Sequence, residues 1–176
     1  MGHNPPAAYA HRVAGKKLRA GDPRAAIAAG VAYVPEDRLG VGVAPSVSIA
    51  GNLALKSYRA RHASLGPLLR LGRIRDRAVE LIHHHRIAAP GPHAPARLLS
   101  GGNLQKVVLA REFSGEPRLL VAAAPTRGLD VGAIETVHAY LRDAAADGVA
   151  VLLISEDLDE ILTLADRIAV MYEGEI

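Results

Sequence analysis

The sequence predicts an α/β fold, a parallel sheet covered by helices, on three observations. Beyond residue 99, short apolar runs (Leu119 to Ala123 and Val149 to Ile154) alternate with segments of helical spacing, the order that a β-α-β-α-β unit requires. These runs are apolar throughout, as suits strands buried on both faces. Hydrophobic residues fill 49% of 176 positions, enough for one sizeable core and short for two. In such a sheet a site lies at the carboxyl ends of the strands.

The elements follow in order. Residues 1–24 surround a basic cluster (Arg12, Lys16, Lys17, Arg19) with Pro, Gly and Ala; they show no clear period and are expected to form a loose start. Asp22 as N-cap, Pro23 at the first helical position and Gly30 as a stop predict a short helix over Pro23 to Ala29. Val31 to Val34 reads as a short buried strand ended by Pro35, and a glycine-punctuated loop then runs to Ser48. Ile74, Ala78, Leu81 and Ile82 form the apolar stripe of a helix from Ile74 to Arg86, closed by Pro90, Pro92 and Pro95. Further on, helices are expected at Leu104 to Phe113, Ile134 to Ala145 and Leu158 to Ala165. A last strand is expected at Arg167 to Tyr172.

Charge and composition exclude several classes. With 21 Lys and Arg against 18 Asp and Glu the net charge is only +3, and aromatics are 3% with no Trp, so neither an electrostatic footprint nor a stacking platform for nucleic acid is present. Cysteine is absent, which removes disulfides, thiolate nucleophiles and cysteine-ligated metals. Met1 to Arg12 has no apolar stretch suited to a signal-peptide core, and no run is long enough for a membrane span, so a soluble, cytoplasmic chain is expected. The charge is polarised. Lys56 to Arg77 holds seven basic residues against Asp76, and residues 151–176 hold seven acids against Arg167.

The most specific feature is Leu99 to Lys106, LSGGNLQK. Ser100 offers a hydroxyl, while Gly101 and Gly102 let the backbone approach an anion at a helix start, where unpaired N–H groups and the dipole point outward. The plain structural alternative is that Ser100 caps a helix and the glycines make a turn.

Downstream, LLVAAAPTRGLD opens a strand into a Pro-Thr-Arg-Gly turn with Asp130, and VLLIS ends another strand. Together with GVAYVPEDRLGVG (Gly30 to Gly42), LSGGNLQKVVLARE (Leu99 to Glu112) and PTRGLDVGAIE (Pro125 to Glu135), this order resembles the ATPase domain of ABC transporters. More narrowly it resembles the second ATP-binding domain of the duplicated subunits that energise import of simple sugars or nucleosides. The resemblance covers roughly residues 20–176. It implies a P-loop NTPase-like α/β domain with a helical subdomain, divided as an early strand with the glutamine-loop equivalent (25–48), the helical subdomain (49–98) and the ATPase core (99–176).

It further implies ATP and Mg²⁺ as cofactors, bound mainly by a partner domain, with Ser100, Gly101, Gly102, Asn103 and Gln105 touching the nucleotide in trans and Asp130 as the D-loop; the plain structural reading of Asp130 is an N-cap for a helix from Val131 onwards, and both can hold at once. The implied partners are another ABC ATPase domain and membrane-spanning permease subunits, with no nucleic acid and no resident metal site. The implied location is the inner face of the cell membrane.

The sequence departs from that family at four points. It contains no G-x-x-x-x-G-K-[ST] phosphate loop; Gly15-Lys16-Lys17 lacks both the preceding glycine and the hydroxyl. This resemblance therefore implies an incomplete domain that starts after the loop. The strand before PTRGLD ends in Ala123 and Ala124, whose methyl groups neither coordinate magnesium nor take a proton. The glutamine-loop position is Glu36, and the switch-histidine position is Glu156. A chain inactive alone is expected, supplying half of an ATP site; the alternative is a non-catalytic interaction remnant with no ATP role. Without its central strand the sheet is expected to expose apolar surface and to self-associate or require a partner.

Three smaller features remain. His83, His84 and His85 point about 100° apart on a helix and cannot converge on one ion. The basic run is either a solvated face or, through the resemblance, part of the face toward the permease. Arg38 and Arg127 can pair with phosphate or with the nearby Asp37 and Asp130.

Overall fold

The computed structural model describes residues 12–18 and 21–176. The chain opens with a hairpin, β1 (Arg12–Val13) and β2 (Lys16–Lys17), joined at Ala14 and Gly15, both at positive φ. Gly15 therefore lies in a hairpin turn and Lys16–Lys17 in its second strand, and not between a strand and a helix. The loose start is corrected to this extent, and residues 1–11, 19 and 20 lie outside the described residues.

Next come α1 (Pro23–Ala28), with Asp22 accepting from the Ala25 amide at 3.0 Å, and β3 (Val31–Val34). A π-helical turn at Arg38–Gly42, α2 (Ile49–Ala54), the hairpin β4 (Ser64–Leu65) and β5 (Leu68–Leu69), and α3 (Leu71–His84) follow. A 3-10 turn at Ala96–Leu98 leads to α4 (Gly101–Phe113), β6 (Leu119–Ala123), α5 (Val131–Ala146), β7 (Ala150–Ile154) and α6 (Leu158–Leu164).

The principal sheet is parallel, in the order β3-β6-β7, with Val34 opposite Ala122 and Ala123 opposite Ile154. Its core is built from Ala32 and Val34 of β3, Leu120 and Ala122 of β6, and Val107 to Ala110 of α4, all fully buried. The α/β parallel architecture is thus the predicted one.

The expected last strand does not form. Residues 167–171 take no regular structure, and Tyr172 makes only an isolated bridge to Glu175. Val170, Met171 and Tyr172 are largely exposed, as are alternate residues of β7, Leu152 and Ile154. A strand's hydrogen bonds are non-local, so an apolar run without a neighbour stays irregular.

A buried ionic knot fixes α4 against the sheet. Glu112 accepts from the Tyr33 amide at 2.9 Å and from Lys56 Nζ at 2.6 Å on one oxygen, and from Arg111 Nε at 2.9 Å on the other. Lys56 also donates to the Val31 carbonyl, and Arg111 to the Gly42 carbonyl. A buried carboxylate persists only when compensated in this way. The knot therefore ties the end of α4 to β3 and to the π turn.

Candidate functional site

Because the three strands are parallel, their carboxyl ends open on one side, and Glu36, Ala124 and Glu156 follow those ends in neighbouring positions. Ala124 leaves β6 at φ +41°, a left-handed conformation costing a non-glycine residue about 1 kcal/mol. Its amide donates to the Ile154 carbonyl at 2.7 Å, and its carbonyl accepts from the Arg127 amide at 3.2 Å. The chain is thereby bent sharply into the turn that ends at Asp130.

Over this end of the sheet, Arg127 pairs through Nη1 with the Glu36 carboxylate, and Arg38 donates through Nη2 to the Arg127 carbonyl. Neither arginine takes the aspartate beside it in sequence. Asp37 instead caps the π turn through the Gly40 amide, and Asp130 caps α5 through the Ala133 amide at 2.9 Å. Arg38 Nη1 is buried with no hydrogen-bond partner among the described residues, and burial lowers the pKa of its guanidinium from the usual range. Glu156 is exposed just past β7.

This end of the sheet does not fit a magnesium ion. Ala123 and Ala124 present methyl groups, and the carboxylate of Glu36 is engaged by Arg127. Among the described residues no three His, Cys, Asp or Glu side chains gather to hold a metal.

The start of α4 has a different character. Ser100 caps the helix, and Ser100 and Gly101 are exposed. Gly101 is not demanded by the fold, since a Cβ there would lie 3.8 Å from Arg38 Nη1 and 3.9 Å from Leu129 Cδ2, ordinary contacts. Gly102 is the tighter position, because its Cβ would meet that of Ala133 on α5 at 3.1 Å, so that α5 would have to give by a few tenths of an ångström. Asn103 is half-buried and bonded to both Ser100 and Ala88. Gln105 is buried, donating to the Pro125 carbonyl at 2.8 Å, which places its side chain in the interior between α4 and the turn after β6.

The helical segment reaches this motif through bonds that lie outside sequence patterning. Lys106 Nζ donates to the Arg86 carbonyl at 3.1 Å, and His85 Nδ1 lies 2.6 Å from the Tyr140 hydroxyl, with Tyr140 stacked on Phe113. Burial first, then His84 and Arg77, lowers the His85 pKa to about 4. Of the three consecutive histidines, His85 faces inward and the other two are exposed.

No family model matches the chain. It is similar to the glucose import ATP-binding protein TsgD13 of Haloferax volcanii, 46% identical over 168 residues, covering 93% of this chain and 30% of the relative. The guanosine import ATP-binding protein NupO of Bacillus subtilis is 43% identical over 162 residues, covering 92% of this chain and 32% of the relative. The ribose import ATP-binding protein RbsA of Burkholderia mallei is 38% identical over 176 residues, covering 100% of this chain and 35% of the relative.

The chain thus spans about a third of the length of the relatives it matches. Among solved structures, a dimeric post-hydrolysis state of the ATP-binding cassette MJ0796 bound to ADP and Pi superposes with a TM-score of 0.65 at 22% identity. That match covers 84% of this chain and 62% of the cassette. A nucleotide-free cassette from an ABC transporter gives a TM-score of 0.65 at 18% identity, covering 86% and 61%.

The parallel sheet, the helix-capping serine-glycine turn and these superpositions define an ABC ATPase fold. Within that fold, the chain is similar in sequence to about a third of the length of ATP-binding subunits named for the import of glucose, guanosine and ribose.

Proposed function

We propose that this chain corresponds to the second ATP-binding domain of an importer subunit for simple sugars or nucleosides, and that it supplies Ser100 to Asn103 to an ATP molecule held by another ABC ATPase domain. The observation that carries this reading is the exposed start of α4. Gly101 lowers helix stability relative to alanine, yet no contact in the chain's own packing demands it. An outside group that approaches the backbone closely accounts for it, and a phosphate suits a capped helix N-terminus. The ATP and its Mg²⁺ are held mainly by the partner, since the ends of β3 and β6 offer no free acid to a metal. Residues 49–98 form the part that faces the permease, at the inner face of the membrane, and residues 99–176 carry the nucleotide face.

The test is association with an ABC ATPase domain that carries an intact phosphate loop and is blocked in hydrolysis, followed by light scattering. ATP should promote a heterodimer, and Ser100→Arg should abolish it. Association indifferent to both ATP and Ser100→Arg favours the interaction remnant instead.

A further inference from the structure

The Ser100 hydroxyl carries one proton and two acceptor positions. Asn103 fills both acceptor positions: its backbone amide donates to Ser100 Oγ at 3.4 Å, and its side-chain Nδ2 donates at 2.9 Å. The orientation of that side-chain amide is set from the other end. Asn103 Oδ1 accepts from the Ala88 backbone amide at 2.8 Å, and since a backbone N–H only donates, the oxygen must face Ala88 and the NH₂ must face Ser100.

Ala88 is itself held by the way α3 ends. Arg86 turns at φ +49°, the Ile87 amide returns to the Ile82 carbonyl at 2.9 Å with Ile87 buried, and Lys106 clamps the Arg86 carbonyl.

We propose that Asn103 is a positioning residue that aims the Ser100 proton. With both acceptor positions taken, the one further hydrogen bond open to Ser100 is the bond that its proton donates, and its natural recipient is an acceptor-only anion such as a phosphate oxygen. The same side chain makes the aim depend on the exit of α3, so that a displacement of residues 85–88 reaches Ser100 through two hydrogen bonds. The inference rests on the functional reading above in taking the anion to be a nucleotide phosphate.

Asn103→Asp keeps the shape and the acceptor toward Ala88 but removes the donor toward Ser100. Its second oxygen then accepts the Ser100 proton and turns it away from the ligand. The test is an NMR titration with ATP of the full ¹⁵N-labelled chain mixed with the hydrolysis-blocked ABC ATPase domain described above, following the amides of residues 100–103, in wild type, Asn103→Asp, Ser100→Ala and the double variant. Protection of the β6 amides checks that each variant is folded.

Asn103→Asp should weaken the ATP response about tenfold more in the wild-type background than when Ser100 is already alanine, where only the added charge acts, the non-additivity of two residues acting as one unit. Equal losses in both backgrounds, or no loss in either, overturn the proposal. If wild type gives ATP shifts at residues 100–103 but its Ala88 amide exchanges freely, this inference alone falls. If wild type gives no shifts there with that domain and ATP both present, the functional reading falls and takes this inference with it.

Discussion

The Arg127 guanidinium is paired with the Glu36 carboxylate, joining the turn after β6 to the loop after β3 across 91 residues of sequence. With side chains 67% and 50% exposed, the pair sits in solvent, where such contacts contribute little. Arg127→Ala should therefore lower unfolding stability by less than about 1 kcal/mol in urea titration. A loss near 3 kcal/mol would mean that the pair holds the two loops together, not merely spans them.

Adjacent glycines should respond differently. Gly102→Ala brings a methyl within 3.1 Å of the Ala133 Cβ and should be the less stable of the two alanine variants, by up to about 1–3 kcal/mol if α5 holds its place. Gly101→Ala makes only ordinary contacts, with Arg38 and Leu129, and should leave stability unchanged or higher by up to about 1 kcal/mol. Thermal melts of the two variants check this, and a destabilised Gly101→Ala would show that the fold, not a ligand, demands the glycine.

His85 makes stability depend on pH. Its folded pKa of about 4 lies below the ordinary 6.5, so the neutral ring is favoured in the fold and the contribution is complete above 6.5. As pH falls from 6.5 toward 4 the unfolded chain takes up a proton that the folded chain refuses, and stability drops. In His85→Phe that part of the urea-midpoint profile should flatten relative to wild type. Parallel profiles would place the pH dependence elsewhere.

Much of this was legible in the sequence, and the boundary follows the range of the forces involved. β3, β6, α4 and α5 were readable because their signals are local: apolar runs for the strands, Ser100 and Asp130 as caps for the helices. The two-residue strands of the hairpins carry too few positions to show a period. Residues 167–172 have the composition of a strand and form none, because pairing is settled by a neighbour and not by the run itself. In the site, Ser100 and Asp130 could be placed from motif and capping. The partners of Arg38, Arg127, Asn103 and His85 could not, since each is fixed by an element distant in sequence or by a backbone group with no side-chain signature.

The exposed face of β7 and the tail beyond Asp166 present Leu152, Ile154, Val170 and Met171 to solvent, and apolar surface of this kind drives association. Sedimentation should show the chain self-associating with concentration, and Leu152→Lys combined with Ile154→Lys should shift it toward monomer. A wild-type monomer at every concentration, with one cooperative melt above about 60 °C, would contradict this.

The central claim is that the start of α4 completes an ATP site whose phosphate-holding half lies on another domain, and steady-state phosphate release measures it most directly. Phosphoryl transfer depends on positioned charge, and neither Ala123, Ala124 nor the Arg127-bound Glu36 supplies it. The chain alone should release no phosphate from MgATP above background. Added to a hydrolysis-competent ABC ATPase domain with an intact phosphate loop, it should raise that domain's rate, and Ser100→Arg should return the rate to that of the domain alone. Release by the chain alone, or a rate in the mixture that Ser100→Arg leaves untouched, would contradict the account.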